Sequence, residues 1–570
     1  MKKRKCPSTS SVSDSVTSNA LSALTESGLR LSRRCLIGTA ALAVLAAPAL
    51  RKGASAQTMG GGMGGMMGME PGLLKPGTMN AGAFTRPLAI PPQISGEERA
   101  GVLHYALRMG AGTSELVAGT RTPTWGYNGP LLGPALRVPR GRAVRIAVTN
   151  NLDQSTTTHW HGAHVPGRMD GGPQSLIAPG ESRVYDFTLD QPGATLWYHP
   201  HPDGLTGPHV YAGLAGMLLV DDGVDRGLDL PRTWGVDDIP LILQDRRMDA
   251  DGRLLYMPSM MDRMGMKGNR FLVNGREQPY VQVPAQRVRL RVLNGSNARV
   301  YNLAFADGQP FHMIAGDAGL LAHPVEMRSL LLAPAERAEI LLDLRRLQGK
   351  TLVLRSDSGA VVPGLSSMPM TADVFDHQGF DLLQLRVGAP LARSGRLPAK
   401  LASIPALRPD APVRYFSLQG MMGSMMGGGM RAMGGMTGAP RASANTGPGG
   451  MSLGIGMQHL FSINHQFMDM AVINQRVRLG STEVWEVSND GEMAHPFHLH
   501  GTSFQILNRN GSAPPEHERG WKDVVFVRRN ETVRLVARFD QPAGQAHPFM
   551  YHCHILEHED NGMMGQFTVA

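Results

Sequence analysis

Short stretches in which apolar and polar residues alternate dominate the chain, and Gly, Pro, Asn and Asp separate them. Alternation with a period of two is typical of half-buried β-strands, and the separating residues are typical of turns. Long windows with the 3.6-residue period of an amphipathic helix are scarce. The pattern therefore predicts an all-β protein built of β-sandwiches. The clearest predicted strands are residues 143–148, 287–293, 338–343 and 532–537.

A weak internal repeat indicates how many sandwiches there are. Residues 142–150, 287–294 and 481–489 resemble one another, and each reads as a strand that ends at an Asn-bearing turn. Recurrence of one pattern at long intervals indicates homologous units, and 570 residues are enough for about three or four domains. We predict three domains, at residues 84–223, 224–391 and 411–570, with a linker at 392–410.

The first 56 residues read as an export signal. A basic start leads to the twin arginines Arg33 and Arg34, a modest apolar run over 36–50 and a small-residue cleavage site at 54–56. This order is typical of a Tat-type signal peptide, and the apolar run is too short to span a bilayer comfortably. A membrane anchor is the weaker interpretation. We expect a soluble periplasmic protein, and we expect it to be a monomer.

Removal of residues 1–56 changes the charge and the cysteine count. The segment carries a net charge of +7 out of the formal +9 of the chain, so about +2 remains. The basic character therefore argues for neither nucleic-acid nor membrane binding. Cys6 and Cys35 also leave, and only Cys553 remains. Because a single cysteine cannot form an internal disulfide, a metal-ligand or redox role for its thiol gains weight.

Two stretches are rich in Met and Gly. One covers residues 57–83 and the other is an insert at 420–457, with nine Met between 421 and 457. Neither has helical or strand periodicity, so Met as filling for a rigid core is a poor explanation. Thioethers bind Cu(I) well, and the insert therefore suggests capture of a soft metal. A linker whose Met residues have no role is the alternative.

Four short motifs concentrate half of the chain's twenty histidines. Histidines at i and i+2 of an extended strand point to the same face, so each His-x-His offers two imidazoles to one metal cluster. A single pair is more often a surface or core pair than a ligand pair, but four pairs reverse those odds. The eight predicted ligands are His159, His161, His199, His201, His498, His500, His552 and His554.

The last motif adds a second metal site. On one strand His552 and His554 face one side and Cys553 faces the other, so the thiolate must bind a different metal from the histidines. His495, Cys553 and His558 then form a His2Cys set with Met563 as a weak axial ligand, which is the pattern of a blue electron-transfer copper.

With these residues the chain resembles the multicopper oxidases from about residue 84 to its end. The resemblance implies cupredoxin-like Greek-key domains and four copper ions, one type 1, one type 2 and two type 3. It assigns His159 and His498 to type 2, and His495, Cys553, His558 and Met563 to type 1. It assigns to the type 3 pair His161, His199, His201, His500, His552 and His554.

Within that family the chain is similar to the bacterial copper-efflux oxidases, on residues 293–299, 520–523 and 555–564. Reduction of O2 to two waters consumes four protons, and the family position of Asp170 and Glu559 implies that they supply them. Asp523 is a candidate acceptor for a ligand imidazole. Asp490, Glu492 and Met493, just before His495, resemble residues that bind a substrate copper in that group.

The preferred hypothesis is oxidation of Cu(I), and of phenols, coupled to reduction of O2, in the service of copper tolerance. A laccase that oxidises phenols without a physiological role for Cu(I) is the first alternative. A copper-sequestering protein without turnover is the second. A copper nitrite reductase fits poorly because it would leave the eight-histidine set unexplained.

Overall fold

The computed structural model describes residues 84–360, 374–391, 396–420 and 460–570. The predicted signal peptide, the Met/Gly-rich segment at 57–83, part of the linker and all of the Met-rich insert except Gly420 lie outside the described residues. Strands dominate the rest, and the helices are short. The prediction of an all-β protein is therefore confirmed.

The strands fall into three consecutive blocks, each with two sheets. In the first block the strands are β1 Gln93–Ile94, β2 Glu97–Arg99, β3 Val102–Ser114, β4 Thr122–Tyr127, β5 Ala135–Pro139, β6 Ala143–Asn150, β7 His159–His161, β8 Ser182–Thr188, β9 Ala194–His199 and β10 Gly216–Asp221. Its helices are α1 Gly167–Asp170 and α2 Thr206–Ala212. One sheet has the order β1-β5-β10-β9-β7, and the other has the order β2-β3-β6-β8 with β4 paired to β3.

The second block follows the short helix α3 Val224–Gly227. Its strands are β11 Asp238–Arg246, β12 Arg270–Val273, β13 Arg276–Glu277, β14 Tyr280–Pro284, β15 Arg287–Asn294, β16 Tyr301–Phe305, β17 Phe311–Gly316, β18 Gly319–Met327, β19 Ser329–Leu332, β20 Arg337–Asp343, β21 Thr351–Asp357 and β22 Gly379–Gly388. The sheets run β13-β12-β11-β15-β20-β17-β18 and β14-β22-β21-β16-β19. Single 3-10 turns cover Met260–Met264, Ser358–Ala360 and Val374–Asp376.

The third block contains β23 Arg414–Gln419, β24 Ser462–Ile463, β25 Gln475–Val477, β26 Thr482–Asn489, β27 His495–Leu499, β28 Phe504–Arg509, β29 Val524–Val527, β30 Glu531–Arg538, β31 Phe549–Cys553 and β32 Met564–Val569. A 3-10 turn covers Glu516–Glu518, and helix α4, Leu556–Asp560, follows β31. The sheets run β24-β23-β26-β30-β28 and β25-β32-β31-β27-β29.

The internal repeat has a clear structural basis in β6, β15 and β26. Each of these strands pairs in parallel with an earlier strand, β3, β11 or β23, and antiparallel with a later one, β8, β20 or β30. Each ends at an Asn whose side-chain amide donates to two backbone carbonyls and whose oxygen accepts a nearby N–H. The three Asn residues are Asn150, Asn294 and Asn489. The predicted strands and their Asn-bearing turns are confirmed, and the exact domain boundaries remain a prediction.

Each block has its own apolar core, and a smaller cluster joins all three. In that cluster Trp197 of β9, Leu293 of β15 and Val524 of β29 are all fully buried. The blocks are therefore packed against one another at the level of β9, which ends at the predicted ligand His199. No helix in the described part of the chain is long and apolar enough to cross a membrane.

Candidate metal centre

Strand pairing brings the four His-rich motifs together two by two. In the first block β7 runs antiparallel to β9 with His159 opposite His199. In the third block β27 runs antiparallel to β31 with His498 opposite His552. These strands are buried on both faces, in contrast to strands at the surface. Both faces are covered because the two motif pairs meet between the first and third blocks.

The eight predicted cluster histidines lie side by side in one buried site, and each is at most 1% exposed. Nε2 of His552 lies 3.2 Å from Nε2 of His500 and 3.3 Å from Nε2 of His201. These three residues come from both blocks and form one of the groups close enough to bind a single ion. In a second group the ring centroids of His161, His199 and His554 lie 5.0–5.6 Å apart.

Only β7 contains both histidines of a His-x-His pair within one strand, as the sequence predicts. His159 and His161 both belong to β7, but β9 ends at His199, β27 ends at Leu499 and β31 ends at Cys553, so His201, His500 and His554 follow the strand ends. The two rings of each pair are nevertheless only 4.9–6.1 Å apart. The pairs therefore reach one site, although in three of them the second histidine follows the end of the strand.

Backbone carbonyls orient several of the imidazoles. The Nδ1 atoms of His159, His199, His498 and His552 lie 2.7–3.1 Å from the carbonyl oxygens of Asp170, Pro200, Asp523 and Cys553. A proton on Nδ1 leaves Nε2 as the lone-pair donor, and this is how ligand imidazoles are usually held. Nε2 of His159, His199 and His498 is buried without a hydrogen-bond partner among the described residues. Buried nitrogens left unpaired in this way fit a bound cation.

His161 has the opposite orientation. Its Nε2 lies 3.1 Å from Oδ1 of Asp523, and its Nδ1 is the buried nitrogen without a partner among the described residues. Asp523 is itself held by Arg337, whose Nη1 and Nη2 atoms lie 2.7 and 2.5 Å from the two carboxylate oxygens. Burial raises the pKa of Asp523, and Arg337 opposes that rise. The prediction that Asp523 accepts from a ligand imidazole agrees with this geometry.

Burial also sets the protonation of the cluster. It lowers the pKa of His201 to about 4 and the pKa of His161, His199, His498, His500 and His554 well below the ordinary value. Imidazoles with so low a pKa are neutral at physiological pH, and neutral imidazole is the form that binds metals. Nitrogen ligands of this kind suit copper.

A second group lies on the other face of β31. Nδ1 of His495 and Nδ1 of His558 are each 3.5 Å from Sγ of Cys553, and the two nitrogens are 3.2 Å apart. All three side chains are fully buried, and burial raises the pKa of the Cys553 thiol. A bound metal reverses that effect, because coordination deprotonates a thiol. This trigonal His2Cys arrangement fits a blue copper site.

Met563, the predicted axial ligand, is fully buried in the same core cluster as Cys553. The N–H of Cys553 donates to the carbonyl of Met563 at 3.1 Å, so the two residues are neighbours across the β31–β32 pair. The other ring nitrogen of His558, Nε2, lies 3.3 Å from the carbonyl oxygen of Met264. Three of the four predicted type 1 ligands therefore lie within reach of one ion, and Met563 is hydrogen-bonded to one of them, Cys553, through the backbone.

The predicted proton donors both touch the cluster. Oδ2 of Asp170, at the end of α1, lies 2.8 Å from Nδ1 of His500. Glu559, on α4, lies 3.3 Å from Nδ1 of His201 and 3.1 Å from Nδ1 of His552, and it accepts a hydrogen bond from the Thr206 hydroxyl at 2.7 Å. Each carboxylate thus contacts imidazoles of the cluster from outside.

The residues predicted to bind a substrate copper are less well gathered. Asp490 is exposed, Glu492 is half-buried and Met493 is 8% exposed in the core of the third block. A Cβ placed on Gly420, where the chain enters the Met-rich insert, would lie 3.8 Å from Oε2 of Glu492. None of the close His, Cys, Asp and Glu groups in the described part of the chain includes Asp490 or Glu492.

Sequence reasoning missed three residues that support the site. Arg337 comes from the second block, Thr206 starts α2, and Gly162 has a φ of +82° with no room for a side chain. A Cβ on Gly162 would lie 2.5 Å from Oδ2 of Asp523 and 3.0 Å from Nη2 of Arg337. The only sequence signal was the Gly directly after the first His-x-His, since arginine and threonine at these positions carry no local pattern.

Comparison with known proteins agrees with the geometry. Two multicopper oxidase family models match residues 108–225 and 445–570. The chain is 33% identical over 480 residues to the multicopper oxidase mco of Staphylococcus haemolyticus, covering 84% of this chain and 90% of that protein. It is 35% identical over 452 residues to the cell division protein FtsP of Xenorhabdus nematophila, covering 79% of this chain and 85% of that protein.

Solved structures show the same relationship. A laccase from Pediococcus acidilactici superimposes with a TM-score of 0.71 at 36% identity, covering 85% of this chain and 94% of the laccase. The fold, the gathered histidines and the sequence relationship all point to the same copper chemistry, with O2 as the electron acceptor. The chain belongs to the multicopper oxidase family.

Proposed function

We propose that this protein oxidises Cu(I), and phenols, at a type 1 copper and reduces O2 to water at a three-copper cluster, four coppers in all. The observation that carries the proposal is the pair of ligand sets on opposite faces of β31. Cys553 faces His495 and His558, while its neighbours His552 and His554 face the eight-histidine site. One short piece of backbone therefore joins the two sites.

The donor sets would hold the metals as follows. His495, Cys553, His558 and Met563 would bind the type 1 copper. His159 and His498, whose unpaired Nε2 atoms were described above, would bind type 2. The type 3 pair would be bound by His161, His199, His554, His201, His500 and His552. Bound copper supplies one-electron redox chemistry, so that oxidation of four Cu(I) ions balances reduction of O2 with four protons to two waters.

Side chains of the protein would deliver protons to the cluster and hold the proton donors in position. Asp170 and Glu559 are buried carboxylates that lie 2.8 Å from His500 and 3.1 Å from His552. Oδ1 of Asp170 is buried without a hydrogen-bond partner among the described residues, while its Oδ2 contacts His500. The Thr206 hydroxyl keeps Oε1 of Glu559 in place. Proton delivery from carboxylates at these positions is the general acid contribution to the reaction.

Cu(I) as the substrate is supported by the chemistry of the Met-rich insert and by Glu492 beside Gly420, where the insert begins. We further propose export to the periplasm by the twin-arginine signal and a role in copper tolerance. The similarity to a laccase favours a second candidate, phenol oxidation without a physiological role for Cu(I).

Steady-state kinetics of two variants of the insert distinguish Cu(I) oxidation from phenol oxidation as the function. On this proposal the insert both binds Cu(I) and shields the type 1 copper from phenols. Deletion of residues 420–457 should therefore lower the rate of Cu(I) oxidation and raise the rate of phenol oxidation. A matched variant with all nine Met of the insert changed to Leu keeps length and volume but removes the soft ligands. It should lose Cu(I) oxidation only. A tenfold rise in KM for Cu(I) would correspond to about 1.4 kcal/mol of binding.

Steady-state rates of O2 consumption with Cu(I) and with a phenol measure both effects. Unchanged Cu(I) oxidation after deletion, together with phenol oxidation that is no faster, would show that the insert has neither role. Phenol turnover in the complete protein without any Cu(I) oxidation would leave the laccase candidate in place. Copper binding without O2 consumption on either substrate would support sequestration instead.

A further inference from the structure

Arg337 lies where the three blocks meet, and it is fully buried. It is the first residue of β20 in the second block, which contains none of the proposed copper ligands. Its Nε donates to the carbonyl of Thr195 in the first block at 3.0 Å. Its two Nη atoms reach both carboxylate oxygens of Asp523 in the third block. One side chain therefore ties the three blocks together beside the histidine cluster.

The guanidinium of Arg337 is fully used. Besides Thr195 and Asp523, Nη1 donates to the carbonyl of Ala335 at 3.0 Å and Nη2 donates to the carbonyl of Asp317 at 2.8 Å. These contacts account for all five N–H groups in their fixed planar arrangement. A lysine ammonium is a single point with three donors, and it cannot span both oxygens of Asp523 and also reach the carbonyls. The position therefore requires arginine.

Asp523 transmits this constraint to two imidazoles from different blocks. Its Oδ1 accepts from Nε2 of His161 at 3.1 Å, and its backbone carbonyl accepts from Nδ1 of His498 at 2.7 Å. The two rings are stacked, with centroids 3.7 Å apart and planes 9° apart. Rotation or displacement of Asp523 would therefore move Nδ1 of His161 and Nε2 of His498, the ring nitrogens that face the metal site.

A second ionic contact keeps the support rigid. The carboxylate of Asp317 accepts from the backbone N–H of Arg337 at 2.8 Å and from Nζ of Lys522 at 2.8 Å. Lys522 directly precedes Asp523 and also lies 3.1 Å from Glu336. Asp317 therefore holds both the backbone of Arg337 and Lys522, the residue before Asp523, and all of these groups are buried. Buried, fully paired charges of this kind hold one geometry.

We propose that Arg337 is a positioning residue for the copper cluster: through Asp523 it sets the positions of His161 and His498 and so the affinity for the type 2 and type 3 copper. The inference rests on the ligand assignment proposed above. Loss of outer partners of metal ligands typically costs about 10- to 100-fold in metal affinity. We expect a loss in that range for Arg337→Lys, confined to the cluster.

The test compares Arg337→Lys with Arg291→Lys in the copper-loaded, full-length protein. Arg291 is a matched control, since it is buried in the same sheet, pairs with both oxygens of Asp238 at 2.7 and 3.0 Å and reaches Thr195 at 2.9 Å. In the described part of the chain, Arg291 makes no hydrogen bond to any of the proposed copper ligands. Arg337→Lys should lose the type 2 electron paramagnetic resonance signal and part of its copper at low free copper, while the blue type 1 absorption stays. Arg291→Lys should keep the type 2 signal, the copper content and the blue absorption.

Three results would overturn the inference. The first is a full copper complement with an unchanged type 2 signal in Arg337→Lys at every free copper concentration. The second is an equal loss in Arg291→Lys, which would indicate a general effect on folding. The third is an equal loss of the blue absorption and of the type 2 signal. If the wild-type protein itself lacked a type 2 signal, the ligand assignment would fail instead, so the two failures are distinguishable.

Gly162→Ala provides a second variant in case Arg337→Lys does not fold. Its new methyl group would press on Oδ2 of Asp523 from the first block while leaving every charge in place. We expect the same pattern, loss of the type 2 signal with the blue absorption retained. Full occupancy of the cluster in folded Gly162→Ala would count against the inference.

Discussion

Replacement of Cys553 by serine should abolish the blue absorption and reduce O2 consumption with Cu(I) or a phenol to background. The hydroxyl is nearly the same size as the thiol, so packing around the fully buried side chain is preserved. It is a poor ligand for copper, however, and the soft thiolate that the site needs is gone. We expect the loss to exceed the roughly 10- to 100-fold that removal of an outer partner costs.

Three measurements check this prediction. Copper per chain should fall from the proposed four to three, the blue absorption should vanish, and the type 2 signal should remain, because His552 and His554 still face the cluster. Cys35→Ser is the control, since it changes a cysteine in the predicted signal peptide, outside both proposed copper sites. Undiminished O2 consumption in Cys553→Ser would contradict the role assigned to the thiolate.

The second large effect is expected at Glu559. Glutamine has the same shape but cannot release a proton to the cluster, and a well-placed general acid contributes about 10²- to 10⁴-fold to a rate. Glu559→Gln should therefore slow reoxidation of the fully reduced protein by O2 within that range. Reduction of the type 1 site by Cu(I) without O2 should stay as fast as in the wild type, because Glu559 contacts His201 and His552 and not Cys553.

Stopped-flow absorbance measures both half-reactions on protein whose copper content has first been shown to be complete. Glu559→Asp retains a carboxyl group and should recover part of the rate. The proton role would be wrong if Glu559→Gln reoxidised as fast as the wild type. A slow reductive half-reaction in the same variant would instead point to disturbance of the type 1 site through α4.

The ligands could be predicted because their chemistry is concentrated in short segments. A Cys between two His, and His at alternate positions, specify metal binding by residue type and spacing alone. The strand β6 could also be predicted, since one of its faces meets solvent and the alternation survives. The strand β15 alternates as well, although its polar residues Arg289 and Arg291 are buried in ion pairs. By contrast β7, β9, β27 and β31 are covered on both faces, so their residues show no alternation.

The supporting residues could not be predicted, for a different physical reason. Arg337 lies 186 positions before Asp523, and Thr206 lies 353 positions before Glu559. Neither sits in a local pattern that distinguishes it from an ordinary surface residue. Their roles exist only after the three blocks have packed, and the same packing brings His201, His500 and His554 into the site beyond the ends of their strands.

The division of the histidines between the first and third blocks has a consequence for folding. His201 and His552 are separated by 351 positions, so closing that contact costs loop entropy and belongs to the slow, non-local part of folding. Neither end of the chain can form the site alone, and ions that occupy it stabilise the docked state over every partly folded one. Ions at the eight-histidine site are therefore expected to bind late in folding, to a chain whose first and third blocks have already met.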